Sequence, residues 1–249
     1  MDPYAQIAAL YDLEHDEFTD DIDLFRNLVV AGPVLEVGAG TGRIVHALAA
    51  DGHDVWAVEP STAMLDRARA RIGAHSCIHL LQGDAQSLDD LSLPSNFRVA
   101  LLSLNLLWHL PTVEVQRAAL RAVHRHLVPM GLLVVDSTNP LSMLDRGARG
   151  ELRERFSTTH DGADVRAISS AWDDPAEQTI ALGLIYDTTA PDGTLRRTST
   201  SMELRYIYRY ELQLLLESAG FIEEQLYGSY DLEPYTAESA NLISVSRAQ

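Results

Sequence analysis

Three acids and three glycines in this chain have the types and spacing to hold a ligand. In Val34-Leu35-Glu36-Val37-Gly38-Ala39-Gly40-Thr41-Gly42 an apolar, strand-like run enters a glycine-rich turn that opens a helix. Glycines there admit positive φ and close approach of backbone to a ligand, while the free N–H groups of the helix start face the same cleft. That chemistry serves a nucleotide-type ligand. The Gly-x-Gly-x-Gly spacing differs from the Gly-x-Gly-x-x-Gly that cradles a dinucleotide pyrophosphate, and the acid Glu36 just ahead of it suits a ligand carrying an ammonium group. The next apolar run ends in Val58-Glu59-Pro60-Ser61, where a carboxylate can accept from both ribose hydroxyls. After the third run comes Gln82-Gly83-Asp84-Ala85, whose acid and following N–H can read the amine and ring nitrogen of adenine. Each acid alone is a common cap or turn residue. At three successive strand ends they describe a nucleoside site.

Short apolar runs alternating with amphipathic stretches are the pattern of strands and crossover helices in a mostly parallel, doubly wound sheet. Strands are expected near 34–38, 54–58, 77–81, 98–104 and 131–136, with helices near 42–50, 62–72 and 112–127. Residues 4–30 read as one or two helices outside this alternation, packing on the rim or over the cleft. After residue 150 the runs 165–172, 179–188 and 194–206, separated by Asp173-Asp174-Pro175 and Pro191-Asp192-Gly193, predict antiparallel strands. A helix near 208–218 ending at Gly220 and strands near 221–228 and 240–246 complete the chain. The organisation expected is one α/β domain over 1–249: a helical lid (1–30), a core (31–140), an antiparallel β insertion covering the acceptor site (150–206), and a last helix with strands (207–249).

In the order of these motifs the chain resembles the class I S-adenosylmethionine (SAM)-dependent methyltransferases. That family has a Rossmann-like fold and an ordered signature of glycine loop, ribose acid, adenine acid and fourth-strand edge. The edge is matched by Ser103-Leu104-Asn105-Leu106-Leu107-Trp108-His109-Leu110. Leu127-Val128-Pro129-Met130-Gly131 matches the family's Leu-x-Pro-Gly-Gly turn, with Met130 in place of a glycine. The resemblance covers residues 34–140 and implies SAM as cofactor, held by Glu36, Gly38, Gly40, Gly42, Glu59, Pro60, Asp84, Ala85 and Asn105. A weaker likeness at both ends is to the small-molecule and peptide N-methyltransferases, a branch that includes aminosugar enzymes and the cypemycin peptide enzyme. It is carried by Tyr4, Tyr11-Asp12-Leu13, Arg205, Glu217-Ser218-Ala219-Gly220-Phe221 and the tail Gly228 to Ser239. It implies that Tyr11, and with it Tyr4, closes over the methionine part of SAM.

Methyl transfer needs an in-line nucleophile about 3 Å from the methyl carbon, so positioning and desolvation carry most of the work. A base that secures the lone pair of an amine, or activates a hydroxyl, adds to it. His109, just past the fourth strand, is the expected base, the alternative being a helix-start or buried structural His with a hydrogen-bond partner, and Tyr11 is expected to act with it on acceptor and methyl geometry. Trp108, Arg205, Tyr208, Tyr230 and Tyr235 are the expected acceptor wall, since aromatic faces attract cations and exclude water.

The chain has 249 residues, 46% hydrophobic, and a formal charge of -17, with every basic side chain apart from His an Arg. Phosphate contacts need a basic face, so nucleic acid is an unexpected partner. No metal spacing is evident; His124 and His126 point to different sides of a helix. The start lacks a signal-peptide pattern and no long apolar run occurs, so a cytoplasmic protein without membrane contact is expected, as monomer or homodimer. Cys77 reads as a buried thiol. The acids between Asp12 and Asp23 read as a solvated helix face or as a rim attracting a cationic substrate. The expected activity is methylation of an amine or hydroxyl of a small molecule or short peptide. The rivals are an NAD(P)-dependent oxidoreductase, opposed by the glycine spacing, and a catalytically inactive SAM-fold binding protein, opposed by the intact Glu36, Gly38, Gly40, Gly42 and Glu59.

Overall fold

The computed structural model describes residues 2–144 and 150–249; residues 1 and 145–149, the end of the linking stretch between core and insertion, lie outside it. The apolar runs form β1 (Val34–Val37), β2 (Val55–Glu59), β3 (Ile78–Gln82), β4 (Phe97–Leu102) and β5 (Leu127–Thr138). The first helices are α1 (Ala8–His15) and α2 (Asp20–Leu28), followed by α3 (Arg43–Ala50), α4 (Thr62–Ile72) and α5 (Val113–His126). After the short α6 (Pro140–Leu144) come β6 (Arg153–His160), β7 (Ala163–Asp174), β8 (Thr179–Thr189), β9 (Leu195–Arg205), α7 (Arg209–Ser218), β10 (Phe221–Tyr227) and β11 (Asn241–Ala248).

One seven-stranded sheet runs β10-β11-β5-β4-β1-β2-β3. Its strands β1 to β5 pair in parallel, and β11 joins β5 antiparallel. Both faces are covered, because alternate residues of a strand point to opposite sides. Val34, Ala57 and Leu101 pack towards α2 and α3, whereas Leu35, Val58 and Ala100 join Leu120, Val123 and Leu216 beneath α5 and α7. The chain order reverses between β1 and β4, so a crevice opens at their carboxyl ends, the place where ligands bind in open α/β sheets. Local signals set the helix starts: Ser61 and Thr112 cap α4 and α5 by accepting from Met64 N and Val115 N.

Four details depart from the sequence expectations. The second sheet has four strands in the order β6-β7-β8-β9, one more than expected. Arg153–His160 shows no apolar alternation and is held by backbone pairing with β7 across an Asp161-Gly162 turn in which both residues take positive φ. Strand β4 stops at Leu102, because Leu104 N and Asn105 N turn aside to Asp136 on β5. Cys77 is half-buried, with Sγ 3.1 Å from His75 Nδ1. Met130 takes φ 61° at the turn where the resembling family has glycine, and β5 runs through that turn. Among the described residues no helix is long and apolar enough to cross a membrane.

Candidate active site

A cavity of about 320 Å³ lies at the reversal point, floored by the loop after β1. Gly38 has φ 76°, which favours glycine, and a Cβ there would stand 2.5 Å from Leu106 Cδ1, so the loop after β1 lies close against the turn after β4. Gly42, at φ 77°, begins α3; its added Cβ would meet Ala68 Cβ at 3.1 Å, so this residue serves the packing of α3 against α4 and stays out of the cavity lining. Gly40 N donates to Glu59 Oε2 at 2.9 Å, and Ser61 N donates to Glu59 Oε1 at 2.9 Å. These bonds aim the Glu59 carboxylate across the end of β2 while each oxygen keeps a second lone pair. Burial raises the Glu59 pKa against the effect of both N–H donors.

Glu36 is 1% exposed and lines the cavity. Ser103 Oγ donates to its Oε1 at 3.0 Å, whereas its Oε2 has no hydrogen-bond partner among the described residues. Burial pushes its pKa up to about 8. An unpaired buried carboxylate oxygen is costly, and a cationic N–H donor in the cavity removes that cost.

The roof is amino-terminal. Asp2, Pro3, Tyr4 and Tyr11 line the cavity from above. Ser61 Oγ donates to Asp2 Oδ2 at 2.6 Å, and the Tyr4 hydroxyl lies 3.3 Å from His109 Nε2. Tyr11 stacks on His15 with ring centroids 4.0 Å apart. Burial raises the pKa of both tyrosines, which stay neutral. The acids of this region divide: Asp12 and Asp21 are buried, whereas Asp16, Glu17, Asp20 and Asp23 are exposed as in a solvated helix face. Arginines pair with most of the stretch, Asp12 with Arg67 and Arg71, Glu14 with Arg155, Asp16 with Arg71, Asp21 with Arg43. Arg71 Nε also donates to Thr41 O at 3.0 Å, tying the roof to the glycine loop.

His109 closes the far wall, at the end of a 3-10 turn spanning Leu106–His109. Burial lowers its pKa to about 4, so the imidazole is neutral near pH 7. The lining thus combines three carboxyl groups (Asp2, Glu36 and Glu59), neutral phenols, a neutral imidazole and Arg43, whose guanidinium is already committed to Asp21 and to Phe18 O.

Comparison with known proteins decides what such a cavity holds. Residues 34–131 match the model of a methyltransferase domain. The cypemycin N-terminal methyltransferase of a Streptomyces species is 30% identical over 221 residues, covering 87% of this chain and 83% of its own. The chain belongs to the SAM-dependent methyltransferases. The solved structure of the CcbJ methyltransferase from Streptomyces caelestis is 27% identical with a TM-score of 0.81, over 99% of this chain and 97% of its own. SAM-bound CalS10, an amino pentose methyltransferase from Micromonospora echinaspora, shares the fold at 24% identity and TM-score 0.71, over 94% of this chain and 91% of its own. The cofactor of this methyltransferase is SAM, and the orphaned Glu36 Oε2 beside the Glu59 carboxylate fits an amine and a ribose.

Of the residues expected from the sequence, Tyr4, Tyr11, Glu36, Gly38, Gly40, Glu59, Pro60 and His109 come together around the cavity. The others lie outside its lining. Asp84 is exposed and accepts from Gln86 N at 2.9 Å, and Ala85 is buried in the core. Asn105 spends its side chain on Thr138, accepting from Thr138 N at 2.6 Å. The expected acceptor wall is dispersed by packing. Trp108 is 2% exposed in the core beside Tyr206, and Tyr208 sits edge-on to Tyr206. Arg205 binds Gln116 and Glu211, Tyr230 donates to Asp136, and Tyr235 donates to Asn139. Aromatic residues far apart in sequence were grouped by type alone; each met a core partner first. Conversely Arg43, Ser103 and Leu104 line the cavity and were missed. Arg43 follows Gly42 directly, a position at the helix start that could have singled it out.

Proposed function

We propose that this methyltransferase N-methylates an amine of a small molecule or short peptide. Tyr11, Glu36, Gly38, Gly40, Glu59 and Pro60 hold SAM, with Asp84 and Ala85 beyond the cavity rim toward adenine. Glu36 takes the ammonium and Glu59 the ribose hydroxyls. When bound, SAM supplies an electrophilic methyl group on a sulfonium.

The observation that carries the amine reading is the neutral His109 in the wall of a cavity whose other ionisable groups are chiefly acids. A neutral imidazole adds no positive charge beside a sulfonium, and its free nitrogen can accept from an amine N–H and orient the lone pair. With a pKa near 4 it is a weak proton store, so the amine arrives neutral and proximity supplies most of the rate. Tyr4 and Tyr11 exclude water above the site, and the antiparallel sheet β6–β9, packed on α1 through Ile7, Leu184 and Tyr186, covers the acceptor side. The names of the relatives, a peptide N-terminal and an amino-sugar methyltransferase, agree with an amine acceptor.

Labelled SAM incubated with peptides bearing a free amino terminus, with aminosugars and with matched hydroxyl compounds tests this. The expected result is label on nitrogen only. Transfer confined to hydroxyl compounds would overturn the amine reading and leave the cofactor assignment in place.

A further inference from the structure

The turn that carries Leu104, Leu106 and His109 to the cavity is unusual in its backbone. Leu104 has φ 47° and Asn105 φ 66°, a left-handed conformation that leucine rarely adopts and that persists only where the surroundings impose it. Four bonds to β5 do so. Leu104 N donates to Asp136 Oδ2 at 3.1 Å, Asn105 N to Asp136 O at 3.0 Å, and the Asn105 side chain both accepts from Thr138 N and donates to Thr138 Oγ1. Asp136 is 1% exposed and outside the cavity lining, and its carboxylate has one further partner, the Tyr230 hydroxyl, 3.3 Å from both oxygens. Tyr230 comes from the segment between β10 and β11, and its ring meets the edge of Phe18 at 5.4 Å. Phe18 O accepts from Arg43 of the cavity wall at 2.6 Å.

We infer that Asp136 and Tyr230 are a positioning pair: Tyr230 orients the Asp136 carboxylate, which pins the left-handed Leu104-Asn105 turn and so places Leu104 and His109 in the active site. The pair acts through the turn and touches no reactant. It joins three parts of the chain, the tail, the end of β5 and the roof loop at Phe18, into one support behind the site. The part played by His109 rests on the amine reading above; the clamp on the turn does not.

Amide hydrogen exchange in the full-length chain reads the turn without any acceptor. In Asp136→Leu, and less strongly in Tyr230→Phe, the Leu104 and Asn105 amides should exchange about tenfold faster while Leu101 and Leu102 of β4 keep their rates. Asp136→Asn should restore slow exchange at Leu104, because its side-chain carbonyl still accepts from that N–H. Should Asp136→Leu fail to fold, Tyr230→Phe against Asp136→Asn carries the same contrast. Unchanged exchange at Leu104 and Asn105, or acceleration shared equally by Leu101 and Leu102, overturns the proposal. With whichever amine is methylated, Tyr230→Phe should lower kcat several-fold with little change in acceptor KM; an effect on KM alone also overturns it. Failure of every amine acceptor while the exchange contrast holds would count against the amine reading and for the clamp.

Discussion

The loop after β1 and the turn after β4 face each other across the same crevice, and both use left-handed backbone, by opposite means. In the first, Gly38, Gly40 and Gly42 take φ between 56° and 77° at no steric cost, and the geometry is written in five consecutive positions of the pattern. In the second, Leu104 and Asn105 take the same region with ordinary side chains, and the conformation is imposed by Asp136 and Thr138 from another strand. The first is a cavity floor that local sequence builds. The second is a wall of the same cavity that exists only when β4 and β5 lie side by side.

The largest expected effect breaks the cofactor side. Glu59→Ala removes the acceptor for Gly40 N and Ser61 N together with the ribose contacts, and should weaken SAM binding by about 1–3 kcal/mol, read by calorimetry. Unchanged affinity would remove Glu59 from the site. Next is Glu36, where the sign follows from burial. Its pKa rises from 4.5 to about 8 in the ligand-free fold. The native state therefore keeps a proton that the unfolded chain has released, so stability is full below 4.5 and is lost as pH rises through about 8. An ammonium on Oε2 favours the ionised form. SAM affinity should thus grow as pH rises towards 8, by at most about tenfold per pH unit, with a proton released on binding. Glu36→Gln should flatten both dependences; an identical pH profile in the variant would assign them elsewhere.

On the acceptor side the effects should be smaller. His109→Ala is expected to lower kcat about tenfold while SAM affinity stays within about twofold, since the neutral imidazole orients more than it stores protons. A loss near a thousandfold would make it a true general base. Smallest is Tyr235→Phe: turnover should hold within about twofold, and stability should fall by about 1 kcal/mol from the lost bond to Asn139. A large fall in turnover would return Tyr235 to the acceptor wall and erase the contrast between the two sides.

What could be read in advance follows the same division. Strand and helix positions of the core were legible because apolar periodicity is local, and Glu36 and Glu59 were legible because they stand in the last two residues of buried strands, at a place the chain order makes a crevice. Strand β6 was not, for its exposed Arg153–His160 carries no alternation; the Asp161-Gly162 pair was the available hairpin signal. Asp12, Glu14 and Asp21 looked solvated because their arginine partners lie on α3, α4 and β6, and no local pattern links Asp21 to Arg43 or Glu14 to Arg155.

From its residues alone this chain determined a doubly wound α/β sheet, a glycine loop with one acid before it and one at the next strand end, and thereby a nucleoside-type cofactor. Those features depend on interactions between near neighbours and on strand ends that the fold class orders. Tertiary structure alone decided which aromatics became core and that Tyr4 rather than Trp108 shares the cavity with His109. It also decided that Asp136 and Thr138, with Tyr230 behind them, bond to the turn after β4. Those outcomes depend on which side chains meet across strands far apart in the chain, and packing settles them only once the whole sheet has formed.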